Sequence, residues 1–194
     1  MSTLRSVQSA LVAKVPPPHM PLAAKGDWSK VEARLKLQLP SDYKWFIEQY
    51  GTGWFCKAVF ITSPFWQDSQ GNDALSIVND QIRELYQSYV DSGDWPEWPY
   101  PYYPQNGGLL TFASSYNNEY LSWLTHGAPS KWTIVLFHHF ELHDTGYSSI
   151  ARLLLDSLEQ HPRLRNPPLN FGYWMHQHPG FDPRSVEAAN WPPP

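Results

Sequence analysis

The sequence predicts a single α+β domain, built on an antiparallel sheet of about four to six strands flanked by helices. Two segments with helical periodicity come first, a strand-like run and a third helical segment follow, and a fourth helical segment closes the domain after three more strand-like runs. The strand-like runs lie at residues 55–65, 109–113, 119–125 and 132–143. Elements grouped in this way, rather than alternating as βαβ units, are typical of the α+β class.

The chain of 194 residues divides into three parts, at 1–26, 27–160 and 161–194. The first part is expected to be an N-terminal tail, because its "PPPHMP" run cannot continue a helix. Its apolar stretch is interrupted by Lys14 and is too short for a signal peptide or a membrane span. The last part holds eight prolines and is expected to pack on the domain as an extension through its aromatic side chains. This organisation favours a cytoplasmic protein.

Two short helices are expected to open the domain. The first begins after Asp27, a candidate N-cap, and its apolar face consists of Trp28, Val31 and Leu35. The second follows Pro40, which suits a first helical turn. Its buried stripe consists of Tyr43, Phe46, Ile47 and Tyr50. Gly51 is expected to end this helix in the left-handed conformation.

A longer helix over residues 74–93 is expected to end at Gly93. The later strand-like runs are separated by turn signals, so they are expected to pair as an antiparallel meander. The last helix lies within 148–160, and Asp144 or Thr145 is its candidate N-cap. Its inward residues are expected to be Ile150, Leu153, Leu154 and Leu158.

Composition restricts the function. The net charge of −4 and the pI near 6.0 give no basic patch, so direct nucleic-acid binding is not expected. The one cysteine, Cys56, cannot form an intrachain disulfide, which favours a reducing compartment. The sequence carries no G-x-S-x-G nucleophile motif and no glycine-rich phosphate loop that opens a helix. No cofactor is expected.

A histidine-rich segment is one candidate for chemistry. His139, Glu141 and His143 alternate along the run 132–143, so they would share one face of a single strand. That face is either a metal or acid/base cluster, or the solvent-facing side of an edge strand.

The loop "DWPEWPYPYY" is the stronger candidate for recognition. Aromatic side chains among prolines, with a few acids, resemble the anchor residues of protein interfaces. The candidate partner-binding residues are Asp94, Trp95, Glu97, Trp98 and Tyr100, with Glu119 and Tyr120 added from the next strands. The alternative is that the loop folds down and its rings cover an edge of the core.

The block "LKLQLPSDYKWFIEQYGTG", with the helix before it, resembles the start of the SUKH superfamily. That group includes the fungal cell-wall-synthesis regulators and many bacterial toxin-immunity proteins. The matching residues are Trp28, Glu32, Leu39, Pro40, Asp42, Tyr43, Phe46, Tyr50, Gly51 and Gly53. The resemblance covers about residues 27–159 and implies that these residues are structural rather than catalytic.

The resemblance implies a protein that is not an enzyme. The expected function is that of an immunity protein, which binds a cognate toxin domain such as a nuclease or deaminase and blocks it. One alternative is a regulatory scaffold of the cell-wall-regulator type. The other is a metal-dependent enzyme that uses His139, Glu141 and His143.

Overall fold

The computed structural model describes residues 3–93, 100–138, 141–165, 175 and 177–184. The helices are α1 (Leu4–Lys14), α2 (Trp28–Leu35), α3 (Ser41–Tyr50), α4 (Ala74–Ser92) and α5 (Ile150–Leu158). The strands are β1 (Gly53–Phe55), β2 (Val59–Ile61), β3 (Leu109–Ser115), β4 (Tyr120–Leu124), β5 (Thr133–His138), β6 (Glu141–Asp144) and β7 (Phe181–Pro183). The α+β class is confirmed.

The strands form one antiparallel sheet in the order β6-β5-β4-β3-β2-β1-β7. The strands from β3 to β6 make the meander expected for the later runs, and β2 and β1 continue it. Two runs that each read as a single strand are hairpins, which gives six strands, and β7 from the C-terminal extension brings the sheet to seven, one more than the expected four to six. The run 55–65 turns at Cys56 and Lys57, whose φ angles are 52° and 54°. The run 132–143 divides into β5 and β6.

Helices lie on both faces of the sheet. Side chains alternate along β4, so Leu121 and Trp123 join the large cluster with α1, α2, α3 and α5, whereas Tyr120 faces α4. On that second face, Ile82 and Tyr86 of α4 pack against Tyr120 and Phe137. The core is therefore layered, with α4 alone forming the second helical layer among the described residues.

The N-terminal segment contains a helix, where the sequence indicated an extended tail. Val7, Leu11 and Val15 recur every four residues and are buried against the core. Lys14, which interrupts the apolar stretch, lies on the solvent side and pairs with Glu159 of α5 at 3.4 Å. An amphipathic helix needs only this narrow stripe, so the short apolar run is sufficient.

The described part of the C-terminal extension adds the edge strand β7, which pairs with β1. Phe181 of β7 approaches the rings of Phe46 and Tyr50, at centroid distances of 6.3 and 5.3 Å. Met175 is also buried in the main cluster.

The helix ends follow local chemistry. Asp27 caps α2 as expected, accepting hydrogen bonds from the N–H groups of Ser29 and Lys30. The N-cap of α5 is Ser149, not Asp144 or Thr145. Asp144 belongs to β6, and the Thr145 hydroxyl instead donates to the carbonyl of Ile134 at 2.6 Å. Of the helices within the described residues, none combines the length and apolar character needed to cross a bilayer.

Candidate functional site

The aromatic stripe of α3 holds that helix on the sheet. Tyr43 donates its hydroxyl to the carbonyl of Thr62 at 2.5 Å, and Tyr50 donates to the carbonyl of Val15 at 2.6 Å. Phe46 stacks on Tyr50 with 4.6 Å between centroids. These rings are fully buried, so they hold α3 against the sheet and are not accessible to a ligand.

The carboxylate of Asp42 joins three helices. It accepts hydrogen bonds from Ser149 Oγ at 2.8 Å, from the Ala151 N–H at 3.1 Å and from Gln8 Nε2 at 3.1 Å. Asp42 is thus a structural acceptor at the N-terminus of α5, where a negative charge also complements the helix dipole.

Glu32 holds the link between α2 and α3. It accepts the N–H of Leu39 at 2.8 Å and forms an ion pair with Lys44. Burial favours the neutral carboxyl, but the hydrogen bonds from Lys44 and Leu39 outweigh it and lower the pKa of Glu32. The residues that carry the resemblance therefore organise the fold.

Four of the candidate partner-binding residues, Asp94, Trp95, Glu97 and Trp98, lie outside the described residues. Tyr100 is described and half-buried. The rings that follow pack inward: Tyr102 stacks on Tyr86 at 4.4 Å, and Tyr103 donates its hydroxyl to the carbonyl of Leu35 at 3.0 Å. The second half of the proline-rich segment therefore covers the core.

The other two candidates face inward. Glu119 is 3% exposed, accepts the Ser115 hydroxyl at 2.6 Å and bonds to Nδ1 of His138. Tyr120 is 5% exposed and stacks on Phe137. In this conformation their side chains offer a partner almost no surface.

The Ser115, Glu119 and His138 side chains are not arranged as a nucleophile relay. The carboxylate lies between the hydroxyl and the imidazole, whereas activation of a serine requires the imidazole next to the hydroxyl. The Ser115 Oγ also accepts backbone N–H groups from Asn117 and Glu119, as a turn residue does. This trio closes the β3–β4 hairpin.

The single-strand reading behind the histidine cluster is wrong, because β5 ends at His138 and β6 begins at Glu141. His139 lies outside the described residues. Glu141 and His143 do share a face of β6, with 3.4 Å between Oε2 and Nε2. Within the described part of the chain, no three His, Cys, Asp or Glu side chains converge as metal ligands.

Two open clefts, each of about 370 Å³, lie elsewhere on the surface. One is bounded by Arg34, Lys36 and Tyr103, and the other by Trp54, Lys57 and Asp182. Among their described lining residues, neither combines a histidine with a serine, threonine or cysteine. These clefts therefore show no arrangement for nucleophilic catalysis.

An acidic surface is the feature that sequence reasoning missed. Asp80, Glu84 and Asp91 are exposed on the outer side of α4 and follow one helical face; we call them the acidic stripe. Leu142 of β6 belongs to the same cluster as α4, and Asp144 adds an exposed carboxylate on that face of the sheet, whereas Glu141 is exposed on the opposite face. Residues 67–144 hold ten acidic and two basic residues, although the whole chain has a net charge of only −4. A charge count by segment could have found it.

The six-strand meander, the aromatic helix between Leu39–Pro40 and Tyr50–Gly51, and the covering helices define a SUKH-type α+β domain. The family model described as "SUKH_6: SMI1-KNR4 cell-wall" matches residues 25–151, more than half of the chain. The chain belongs to this family. No curated protein and no solved structure matched it.

Proposed function

We propose that this chain is an immunity protein, which binds a cognate bacterial toxin and neutralises it by protein–protein contact in the cytoplasm. Family membership carries the proposal, since the SUKH superfamily includes toxin-immunity proteins. The acidic surface supports it, because opposite charge accelerates encounter with a basic partner such as a nuclease domain. The chain itself performs no chemistry in this role and uses no cofactor.

The binding face we propose runs from the acidic stripe into the loop that carries Asp94, Trp95, Glu97, Trp98 and Tyr100. The stripe ends near Gly93, so that loop continues directly from the acidic end of α4. Aromatic anchors would fill pockets on the toxin, and the acids would steer its approach.

The test starts with affinity capture of the tagged full chain from its native cells. Support requires a stoichiometric partner whose expression alone kills cells, and survival when the chain is co-expressed. The double variant Asp94→Lys with Glu97→Lys should then lose most of this protection, whereas Glu159→Lys on the opposite side should keep it. Full protection by the double variant at equal expression would contradict the proposed face.

The family description also names the cell wall, which favours a second candidate, a regulatory scaffold. In that case the captured partners would be ordinary cellular proteins that are harmless when expressed alone. That result would replace the immunity role.

A further inference from the structure

One edge of the sheet is open in the described structure. Within the described residues, β6 pairs with β5 alone. Just beyond β6, the Thr145 N–H donates to the carbonyl of Ile134 on β5 at 3.0 Å. Backbone groups alternate sides along an antiparallel strand. The N–H and C=O groups of Leu142 and Asp144 therefore point away from the sheet.

Such an edge is a template for another strand unless charge or shape protects it. Glu141 lies on this edge strand with a side chain that is 74% exposed, and Asp144 is also exposed. The sequence from Trp132 to Ala151 contains no lysine or arginine. The charge on this edge is therefore of one sign, which selects the strand that can add to it.

The acidic stripe lies on α4, which covers the sheet face that Leu142 and Asp144 share. Leu142 of β6 belongs to the apolar cluster that α4 forms with Tyr120 and Phe137. Arg83, the one basic residue of α4, already pairs with Asp80 at 2.8 Å. A strand added to β6 would have the carboxylate of Glu141 on one face of the sheet and that of Asp144 on the face that α4 covers.

We propose that the β6 edge binds an extended basic segment of a partner protein, which adds to the sheet as an eighth strand. Backbone hydrogen bonds to Leu142 and Asp144 supply the docking, and lysine or arginine side chains of the segment meet Glu141 on one face of the sheet and Asp144 on the other. The inference rests on the proposed function in one respect, namely that the partner is a protein.

Charge argues against other occupants. A second copy of this chain would bring two acid-rich edges together within the screening length of physiological salt, about 8 Å. Nucleic acid would meet the same carboxylates with its phosphates. An extended basic polypeptide satisfies both the open backbone groups and the charge.

The first experiment titrates the ¹⁵N-labelled full chain with the capped hexapeptide of alternating lysine and valine. We expect chemical-shift changes centred on the amides of Leu142 and Asp144 and slower hydrogen exchange of these two amide protons. The binding should weaken as the NaCl concentration is raised. The same peptide N-methylated on alternate residues keeps its charge but loses edge hydrogen bonds, so it should bind far more weakly. A glutamate–valine peptide should not bind.

Two variants separate charge from fold. Glu141→Gln with Asp144→Asn removes both charges, and the Asn oxygen can still accept the Gly146 N–H that Asp144 now accepts at 2.8 Å. We expect the peptide Kd to rise about fivefold or more. Glu159→Gln, on the far side of the molecule, should leave the Kd unchanged.

Several outcomes would overturn the proposal. These are amide chemical-shift changes centred on residues outside β6, equal binding of the N-methylated peptide, or an unchanged peptide Kd in the double variant. Protected Leu142 and Asp144 amides in a dimer of the free protein would assign the edge to a second copy. A toxin that is neutralised with no change at β6 would leave the immunity role intact and remove only this site. Peptide binding at β6 without any lethal partner would support this site and contradict the immunity role.

Discussion

At the scale of single residues, several carboxylates connect separate elements of this protein. Asp42, Glu32 and Glu119 are each held by several donors from other elements. A buried carboxylate is tolerated only when its oxygens are satisfied in this way, and removal of the acceptor leaves several donors unpaired at once.

Asp42→Ala should lower the free energy of unfolding by about 2–4 kcal/mol, because it leaves the Ala151 N–H, the Ser149 hydroxyl and the Gln8 amide without their acceptor. Urea denaturation monitored by circular dichroism measures the loss. Asp27→Ala is the matched control, since Asp27 also accepts two backbone N–H groups but is exposed, so its loss should be about 1 kcal/mol. Equal losses at the two sites would contradict the bridging role of Asp42.

Cys56 should be unreactive in the folded protein. Burial raises the pKa of its thiol to about 11, despite the opposing effect of the Gly180 backbone contact. Because an unfolded thiol titrates near 8.5, the protonated thiol stabilises the fold fully below that pH, and this contribution is lost as pH rises towards 11.

Iodoacetamide alkylation followed by mass spectrometry checks this prediction. At pH 8 the native protein should react at least a hundred-fold more slowly than the same protein in urea. The native rate should rise about tenfold per pH unit until the chain unfolds. Fast alkylation of native protein at pH 8 would show that the thiol is accessible.

At the scale of elements, turns decide which predictions succeed. The ends of α3 and α4 were readable because a glycine follows each apolar stripe, and the start of α2 was readable from its N-cap, Asp27. The β1–β2 hairpin was not readable, because Cys56 and Lys57 adopt positive φ without a glycine or asparagine to signal it. The excess of acidic residues in 67–144 was readable from a charge count, but its position was not, because only the tertiary fold brings α4 and β6 to the same cluster.

Gly51 ends α3 with φ 73° and ψ −153°, which is outside the expected left-handed helical region and is a conformation that only glycine adopts readily. A Cβ at this position would lie 2.1 Å from the carbonyl oxygen of Leu22. Gly51→Ala should therefore destabilise the protein by about 3 kcal/mol or more, or prevent folding.

Gly71→Ala is the matched control, because Gly71 has φ 85° but no heavy atom within 4 Å of the added Cβ. It should lose only the backbone preference, about 1–2 kcal/mol. Thermal unfolding of both variants separates the effect of the clash with the Leu22 carbonyl from the effect of backbone strain alone. Similar melting temperatures would contradict the importance of the Leu22 contact.

At the scale of the whole molecule, the packed core extends beyond the family match. The match starts at residue 25, yet α1 packs on α5 and Val15 accepts the hydroxyl of Tyr50 at 2.6 Å. Both α1, before the matched residues, and β7, after them, therefore pack on the domain that the family model matches.

Two leucine-to-alanine substitutions within α1 measure how much this helix contributes to the stability of the protein. Leu11 is fully buried, so Leu11→Ala should lower the free energy of unfolding by about 2–4 kcal/mol. Leu4 is 42% exposed, so Leu4→Ala should change it by no more than about 1 kcal/mol. Both variants keep a good helix former, which leaves packing as the difference between them.

If α1 belongs to the cooperative core, Leu11→Ala will also shift the unfolding of the sheet, seen by tryptophan fluorescence from Trp123 and its neighbours. A helix that melts separately, with the tryptophan transition unchanged, would instead make α1 an attachment to an independent domain.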